Sequence, residues 1–151
     1  MRTETRAGRF DVLLVEDSRA EARLFCEALS AVADINACHN VRDGVEALSF
    51  LRRERPYEKA PRPDLVILDL NLPRMNGHEL LEAIRNDTAL QGIPTLVMSN
   101  SSAESDIERA YRAGSHGYVT KPGDFTALLD LTRSIARYWL ELNRTPHRKA
   151  I

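Results

Sequence analysis

The chain has 151 residues, 43% of them hydrophobic, which suits one compact domain with a buried core. Charged residues make up 28% but the formal net charge is −1, so the composition offers no basic footprint for nucleic acid. Residues 1–9 are polar, and no stretch approaches the roughly 20 apolar residues of a membrane-spanning helix. We therefore expect a cytoplasmic protein that binds neither nucleic acid nor membranes.

Residues 1–9 are predicted to be a disordered tail, residues 10–142 a single folded domain and residues 143–151 a polar C-terminal tail. Cys26 and Cys38 lack C-x-x-C spacing, so we expect reduced thiols that pack as small hydrophobic groups. The histidines share no metal-ligand spacing and are interpreted as structural or solvated: His39, His78, His116 and His147.

Strand-like and helix-like segments alternate five times along the chain. Short apolar runs predict buried strands at residues 12–15, 35–39, 65–68, 95–98 and 117–120. Each is followed by an amphipathic helix, and the last helix extends through Leu142. Side chains typical of helix N-caps open four of these helices: Ser18, Asp43, Ser101 and Asp124. The alternation indicates a doubly wound five-stranded parallel sheet with helices on both faces.

Polar side chains follow four of the predicted strands. Glu16 and Asp17 follow the first strand, Asp69 the third, Ser99 the fourth and Lys121 the fifth. Because right-handed crossovers bring these strand ends to the carboxyl edge of the sheet, we expect the five side chains to meet there.

Three carboxylates in one pocket repel one another, and a divalent cation removes that conflict. Mg²⁺ prefers hard oxygen ligands, so Asp17 and Asp69 are predicted as direct ligands, Glu16 as a ligand through water, and the carbonyl of Asn71 as a further oxygen. With the metal present, Asp69 can act as a nucleophile toward phosphorus. Lys121 and the Ser99 hydroxyl could then hold the remaining phosphoryl oxygens.

These motifs, taken as an ordered set, resemble the receiver domain of two-component response regulators. The matching pieces are Val15-Glu16-Asp17, the run from Asp69 to Gly77, Ser99, and Tyr118-Val119-Thr120-Lys121-Pro122. The spacing from Asp69 to Lys121 agrees with the family, whereas the stretch before Asp69 is longer than in its shortest members. The loop at residues 52–63, the sequence from Asp69 to Pro73 and the prolonged last helix are similar to stand-alone receivers that serve bacterial phytochrome histidine kinases.

The resemblance implies a flavodoxin-like fold of strand order 2-1-3-4-5. It also implies a histidine kinase as partner, a phosphoacceptor at Asp69, Mg²⁺ bound by the oxygen ligands named above, and a switch pair formed by Ser99 and Tyr118. The Lys-Pro bond is typically cis in the family, so Pro122 is expected to follow a cis peptide. Asn100 departs from the family pattern, in which a smaller residue is common, and its side chain would narrow access to the phosphorylation site.

Three classes of function stay open at this point. The first is a phosphorylation-controlled switch that acts through protein contacts and is not an enzyme with an external substrate. An aspartate-nucleophile phosphohydrolase usually carries a second acid two residues after the nucleophile, where this chain has Asn71. A flavodoxin-like nucleotide-binding module would need a Gly-rich loop after the first strand, where Asp17-Ser18-Arg19 stands instead.

Large apolar side chains near the end of the chain form a candidate homodimer or partner surface. Tyr138, Trp139 and Leu142 together exceed what one helix face usually buries. The alternative is that these side chains merely close the core.

Overall fold

The structure is a computed structural model that describes residues 9–146. Residues 1–8 of the predicted N-terminal tail and residues 147–151 of the predicted C-terminal tail, with His147 among them, lie outside the described residues. The strands are β1 Phe10–Val15, β2 Ile35–Val41, β3 Leu65–Leu68, β4 Thr95–Ser99 and β5 Gly117–Thr120. The helices are α1 Arg19–Val32, α2 Gly44–Leu51, α3 Gly77–Arg85, α4 Glu104–Ala113 and α5 Phe125–Ile135, and α5 continues as π-helical turns over Ala136–Leu142.

All five strands pair in parallel in the order β2-β1-β3-β4-β5, which confirms the predicted order. Successive side chains of a strand point to opposite faces. Val66 and Leu68 of β3 therefore pack into one hydrophobic layer, which also receives α2, α3 and α4. Leu65 and Ile67 pack into the other layer, beneath α1 and α5. The predicted helices on both faces of the sheet are confirmed.

Three of the four predicted N-caps are confirmed. The side chains of Ser18, Asp43 and Asp124 each accept a hydrogen bond from the backbone N–H three residues later, which satisfies one free donor of the helix start. The prediction for Ser101 is wrong, because α4 begins at Glu104 after Ala103, which makes no side-chain cap. Ser101 Oγ instead accepts from Ala103 N at 3.2 Å and donates to Asp106 Oδ2 at 2.5 Å.

The expectation of reduced cysteines is wrong, since Cys26 and Cys38 form a disulfide. Cys26 lies on α1 and Cys38 on β2. These two elements are consecutive in the chain and pack against each other. Their Cα atoms are 5.6 Å apart, within the range that a disulfide spans. The pairing therefore follows from the packing of consecutive elements, which the C-x-x-C criterion does not detect.

The expectation of a cis peptide before Pro122 is also wrong. Within residues 9–146 the cis bond is Arg55–Pro56, in the loop between α2 and β3. With its trans bond to Pro122, Lys121 already places Nζ 2.8 Å from Asp69 Oδ2, so a cis bond is not needed to deliver the ammonium group.

No helix within the described part of the chain is long and apolar enough to cross a membrane. The cytoplasmic location and the lack of nucleic-acid binding stay predictions.

Candidate functional site

Of the residues predicted at the carboxyl edge of the sheet, Glu16, Asp69 and Lys121 are in direct contact, whereas Asp17 and Ser99 line a neighbouring cleft. Hydrogen bonds of the sheet continue past the strand ends: Asp69 N donates to Val15 O at 3.2 Å, and Lys121 N donates to Ser99 O at 2.8 Å. The first bond fixes the backbone of Asp69 against the end of β1, and the second fixes Lys121 against the end of β4, so both side chains are presented from a rigid support.

Lys121 is the centre of the site. Its ammonium group donates to Asp69 Oδ2 at 2.8 Å, to Glu16 Oε1 at 2.9 Å and to Glu21 Oε1 at 2.9 Å. The Lys121 side chain is only 11% exposed. Burial alone would lower the pKa of the Lys121 ammonium, but hydrogen bonds with three carboxylates outweigh burial and raise the pKa. The three carboxylates therefore favour the charged form of Lys121 next to Asp69.

Glu21 was not predicted as a site residue. The sequence offered a signal, a glutamate in the first turn of the helix after Asp17, but the spacing from Ser18 assigned it to a capping box. In the structure Ser18 Oγ accepts from Glu21 N, whereas Ser18 N donates to Glu16 Oε2 at 3.0 Å. The Glu21 carboxylate is thereby left to pair with Lys121.

The two buried carboxylates of the site have defined partners. Asp69 is 9% exposed, and its Oδ1 accepts from Asn71 N at 3.2 Å while Oδ2 faces Lys121. Glu16 is 5% exposed, and burial raises its pKa, an effect that the hydrogen bonds from Ser18 N and Lys121 only partly offset. The positive charge of Lys121 thus replaces part of the hydration that both carboxylates lose.

A polar cleft of about 470 Å³ opens at the carboxyl edge of the sheet, beside Leu70 and Asn71. Asp17, Asn71 and Ser99 line it together with His78 of α3 and Arg109 of α4. In residues 9–146 no three His, Cys, Asp or Glu side chains are close enough together to hold a metal ion by themselves. Asp17 and Asn71, which line the cleft, nevertheless fit Mg²⁺, which usually takes one or two carboxylates and completes its shell with water and phosphate oxygens.

Ser99 and Tyr118 are connected through one residue. Ser99 is 1% exposed, and its Oγ accepts from Ser101 N at 3.1 Å. The half-buried Tyr118 packs against the first hydrophobic layer, and its hydroxyl donates to Ser101 O at 2.8 Å. The predicted switch pair therefore meets at the peptide groups of Ser101, and the Tyr118 ring is already oriented toward them.

The loop between β3 and α3, which carries Asn71, is held by a contact that was not predicted. Arg74 has a positive φ of 63° and donates from Nε and Nη2 to Asp43 at 2.9 and 3.1 Å. Burial alone would raise the pKa of Asp43, but the bonds from Arg74 lower it. Gly44 N also donates to Met75 O at 3.1 Å, and a Cβ at Gly44 would lie 2.6 Å from that oxygen. The start of α2 thus supports the loop.

The predicted surface at the end of the chain divides into two parts. Tyr138 and Leu142 are each 52% exposed. Trp139 is half-buried and packs against the second hydrophobic layer, over Gly117 of β5. The structure therefore places Trp139 within the fold of its own chain and leaves Tyr138 and Leu142 at the surface.

A doubly wound sheet that gathers an acidic pair, a buried aspartate and a lysine at its carboxyl edge has the arrangement of a receiver domain. A family model described as the response regulator receiver domain matches residues 12–133, and the chain belongs to this family. The resemblance drawn from the motifs is confirmed.

Two similar proteins match this chain over most of their length. Response regulator Rcp1 of Synechocystis sp. is 37% identical over 135 residues, which cover 89% of this chain and 92% of Rcp1. The probable methanogenesis regulatory protein FilR2 of Methanothrix harundinacea is 36% identical over 137 residues, covering 91% and 88% of the two chains.

Two solved structures of response regulators superpose on most of this chain. The phosphorylated cyanobacterial phytochrome response regulator RcpA superposes with a TM-score of 0.85 at 39% identity, over 91% of this chain and 99% of that of RcpA. The Mn²⁺-bound form of Rcp1 superposes with a TM-score of 0.82 at 37% identity, over 91% and 99% of the two chains.

Proposed function

We propose that the protein accepts a phosphoryl group from a histidine kinase on Asp69 and signals through protein contacts, without turning over an external substrate. The observation that carries this proposal is the buried ion pair of Lys121 Nζ with Asp69 Oδ2, at 2.8 Å. Residues 10–142 are proposed to be the unit that performs the function.

The chemistry is a phosphoryl transfer between two proteins. A carboxylate oxygen of Asp69 attacks phosphorus, the P–O bond forms, and the P–N bond to the kinase histidine breaks. The leaving imidazole nitrogen keeps the bonding electrons and takes a proton from solvent. Lys121 and the Ser99 hydroxyl are assigned to donate hydrogen bonds to the phosphoryl oxygens, which carry the developing charge.

The metal proposed for this reaction is Mg²⁺. Asp17, Asp69 and the Asn71 carbonyl would hold it directly and Glu16 through water; when bound, it would neutralise charge on the phosphoryl oxygens. Support comes from Asp17 and Asn71, which line the cleft, and from the existence of a Mn²⁺-bound form of the related Rcp1.

The signal is proposed to pass through Ser99 and Tyr118. A phosphoryl group that attracts the Ser99 hydroxyl removes the acceptor of Ser101 N, and the carbonyl of Ser101 is the acceptor for Tyr118. A movement of this loop shifts the population of surfaces presented by α4, β5 and α5.

We propose a phytochrome histidine kinase as the cognate donor, because the relatives Rcp1 and RcpA cover nearly the whole chain and RcpA is a phytochrome response regulator. Transfer from the phosphorylated kinase domain of a phytochrome should reach this protein within minutes. The comparison is the kinase domain of a histidine kinase whose full-length protein has no photosensor. If that domain transfers the phosphoryl group faster at equal concentration, the phytochrome assignment is wrong.

We also propose a homodimer that uses the exposed part of the last helix, Tyr138 and Leu142. Two-fold pairing is the commonest way for one exposed apolar patch to be covered, and the two side chains lie on neighbouring turns of the same helix.

Labelling with a phosphodonor and Mg²⁺ tests the central assignment. Asp69→Asn should abolish the acid-labile label. The matched control is Asp124→Asn, the same chemical change at a helix N-cap where asparagine caps equally well, and it should keep the label. Stoichiometric labelling of Asp69→Asn would refute the phosphoacceptor role.

A further inference from the structure

The carboxylate of Glu21 reaches into the site from the first turn of α1. Its Oε1 accepts a hydrogen bond from Lys121 Nζ at 2.9 Å, although the Glu21 side chain is 55% exposed. In a capping box the Glu21 carboxylate would accept a hydrogen bond from Ser18 N. Ser18 N donates to Glu16 instead, so the Glu21 carboxylate does not cap the helix. Glu21 therefore spans the gap between α1 and the residue that follows β5.

The Lys121 ammonium group has three N–H donors. In the structure it donates to three carboxylates, those of Asp69, Glu16 and Glu21, at distances of 2.8 to 2.9 Å. A phosphoryl oxygen that approaches Lys121 must therefore compete with one of them.

The three carboxylates differ in the free-energy cost of breaking their hydrogen bond to Lys121. Glu16 and Asp69 are 5% and 9% exposed, and a buried carboxylate is destabilised when it loses the hydrogen-bonded cation that compensates its lost hydration. Glu21 lies at the surface, where water can solvate the released carboxylate and an ion pair contributes little. The phosphoryl group should displace Glu21 from Lys121.

We propose that Glu21 competes for Lys121: it occupies the third donor of the ammonium group before phosphorylation and gives it up to the incoming phosphoryl group. The inference rests on the proposed function, since it concerns the same phosphorylation reaction. Glu21 in this role lowers the rate of phosphorylation. In each transfer Lys121 must break its hydrogen bond to the Glu21 carboxylate before it can donate to a phosphoryl oxygen.

The test is the rate of Asp69 labelling by acetyl phosphate with Mg²⁺. Glu21→Gln keeps the size of the side chain and removes its charge, and should be labelled about threefold faster than the wild type, in the range that one exposed ion pair contributes. Glu27→Gln is the matched control: it removes the same charge from the same helix, where Glu27 pairs with Arg23 at 3.0 Å. Its labelling rate should equal that of the wild type.

A second measurement follows the contact itself. The ¹⁵N resonance of the Lys121 ammonium should shift in Glu21→Gln and stay unchanged in Glu27→Gln. A residue that merely orients Lys121 would give slower labelling on substitution, so the sign of the rate change separates the two roles.

Three results would overturn the inference: an equal or slower rate in Glu21→Gln, an equal acceleration in Glu27→Gln, or an unshifted Lys121 resonance in Glu21→Gln. If the wild type itself takes up no label, the proposed function fails and the inference with it. If the wild type is labelled and any of the three results is found, the inference alone fails.

Discussion

The indole of Trp139 lies over Gly117, so close that a Cβ at position 117 would come within 2.7 Å of Trp139 Cζ2 and 3.0 Å of Leu96 Cδ1. An atom added at this point forces the surrounding side chains to move, and we expect Gly117→Ala to lower the free energy of unfolding by about 1–3 kcal/mol. Chemical denaturation measures the change. Gly123→Ala is the control, since a Cβ there meets no atom within 4 Å, and equal stabilities of the two variants would contradict the packing described.

The position of Trp139 also decides how the proposed dimer is tested. A charge at Trp139 would damage the fold of the monomer, so the informative change is Leu142→Glu, at a side chain that is 52% exposed. Light scattering should detect a dimer for the wild type and a folded monomer for Leu142→Glu. Leu24→Glu, at a 48% exposed leucine of α1, should stay dimeric. A wild type that is monomeric at tens of micromolar, on the order of weak affinities, would exclude the dimer.

Asp17→Asn should weaken Mg²⁺ binding about tenfold or more, in the range seen when groups around a metal are altered. Asp17 lies exposed at the rim of the cleft, so its substitution should leave the free energy of unfolding nearly unchanged. Titration with Mg²⁺ and denaturation together measure the two effects. Asp130→Asn is the control: it removes the same charge from the surface of α5 and should leave the Mg²⁺ affinity unchanged. An unchanged Mg²⁺ affinity in Asp17→Asn would remove Asp17 from the ligand set.

His78 gives the protein a pH-dependent stability. It is 6% exposed, and burial, with the charge of Arg109, lowers its pKa. Below the ordinary value of about 6.5, the unfolded state therefore binds more protons than the folded state, and the free energy of unfolding falls as the pH falls. Between pH 7.5 and 5.5 the loss due to His78 should be at most about 1.4 kcal/mol. Denaturation of His78→Gln at both pH values should give a smaller loss than that of the wild type, and an equal loss would rule out His78 as its source.

The backbone positions of the site could be predicted from the sequence, because they depend only on where buried strands end. Asp69, Ser99 and Lys121 each stand at or directly after an apolar run, and parallel strands bring such ends to one edge. The strand order came from the resemblance to a family, since apolar runs alone do not determine which strands are neighbours.

Contacts made by long side chains could not be predicted in this way. Glu21 fits a local capping pattern, so its sequence position suggests no contact with Lys121, which lies 100 residues away. The bond between Arg74 and Asp43 depends on a positive φ at Arg74, a conformation that arginine rarely adopts. The pairing of Cys26 and Cys38 depends on how α1 packs against β2, which their spacing does not determine.

Ser99 and Tyr118 are bonded to the two sides of one residue, Ser101, and this arrangement has a thermodynamic consequence. A target whose affinity depends on the orientation of Tyr118 must change the affinity of the site for a phosphoryl mimic by the same factor by which the mimic changes the affinity for the target. The downstream target is then an effector of the phosphorylation site as well as its recipient. The fraction of protein occupied by the mimic at equilibrium would depend on how much target is present.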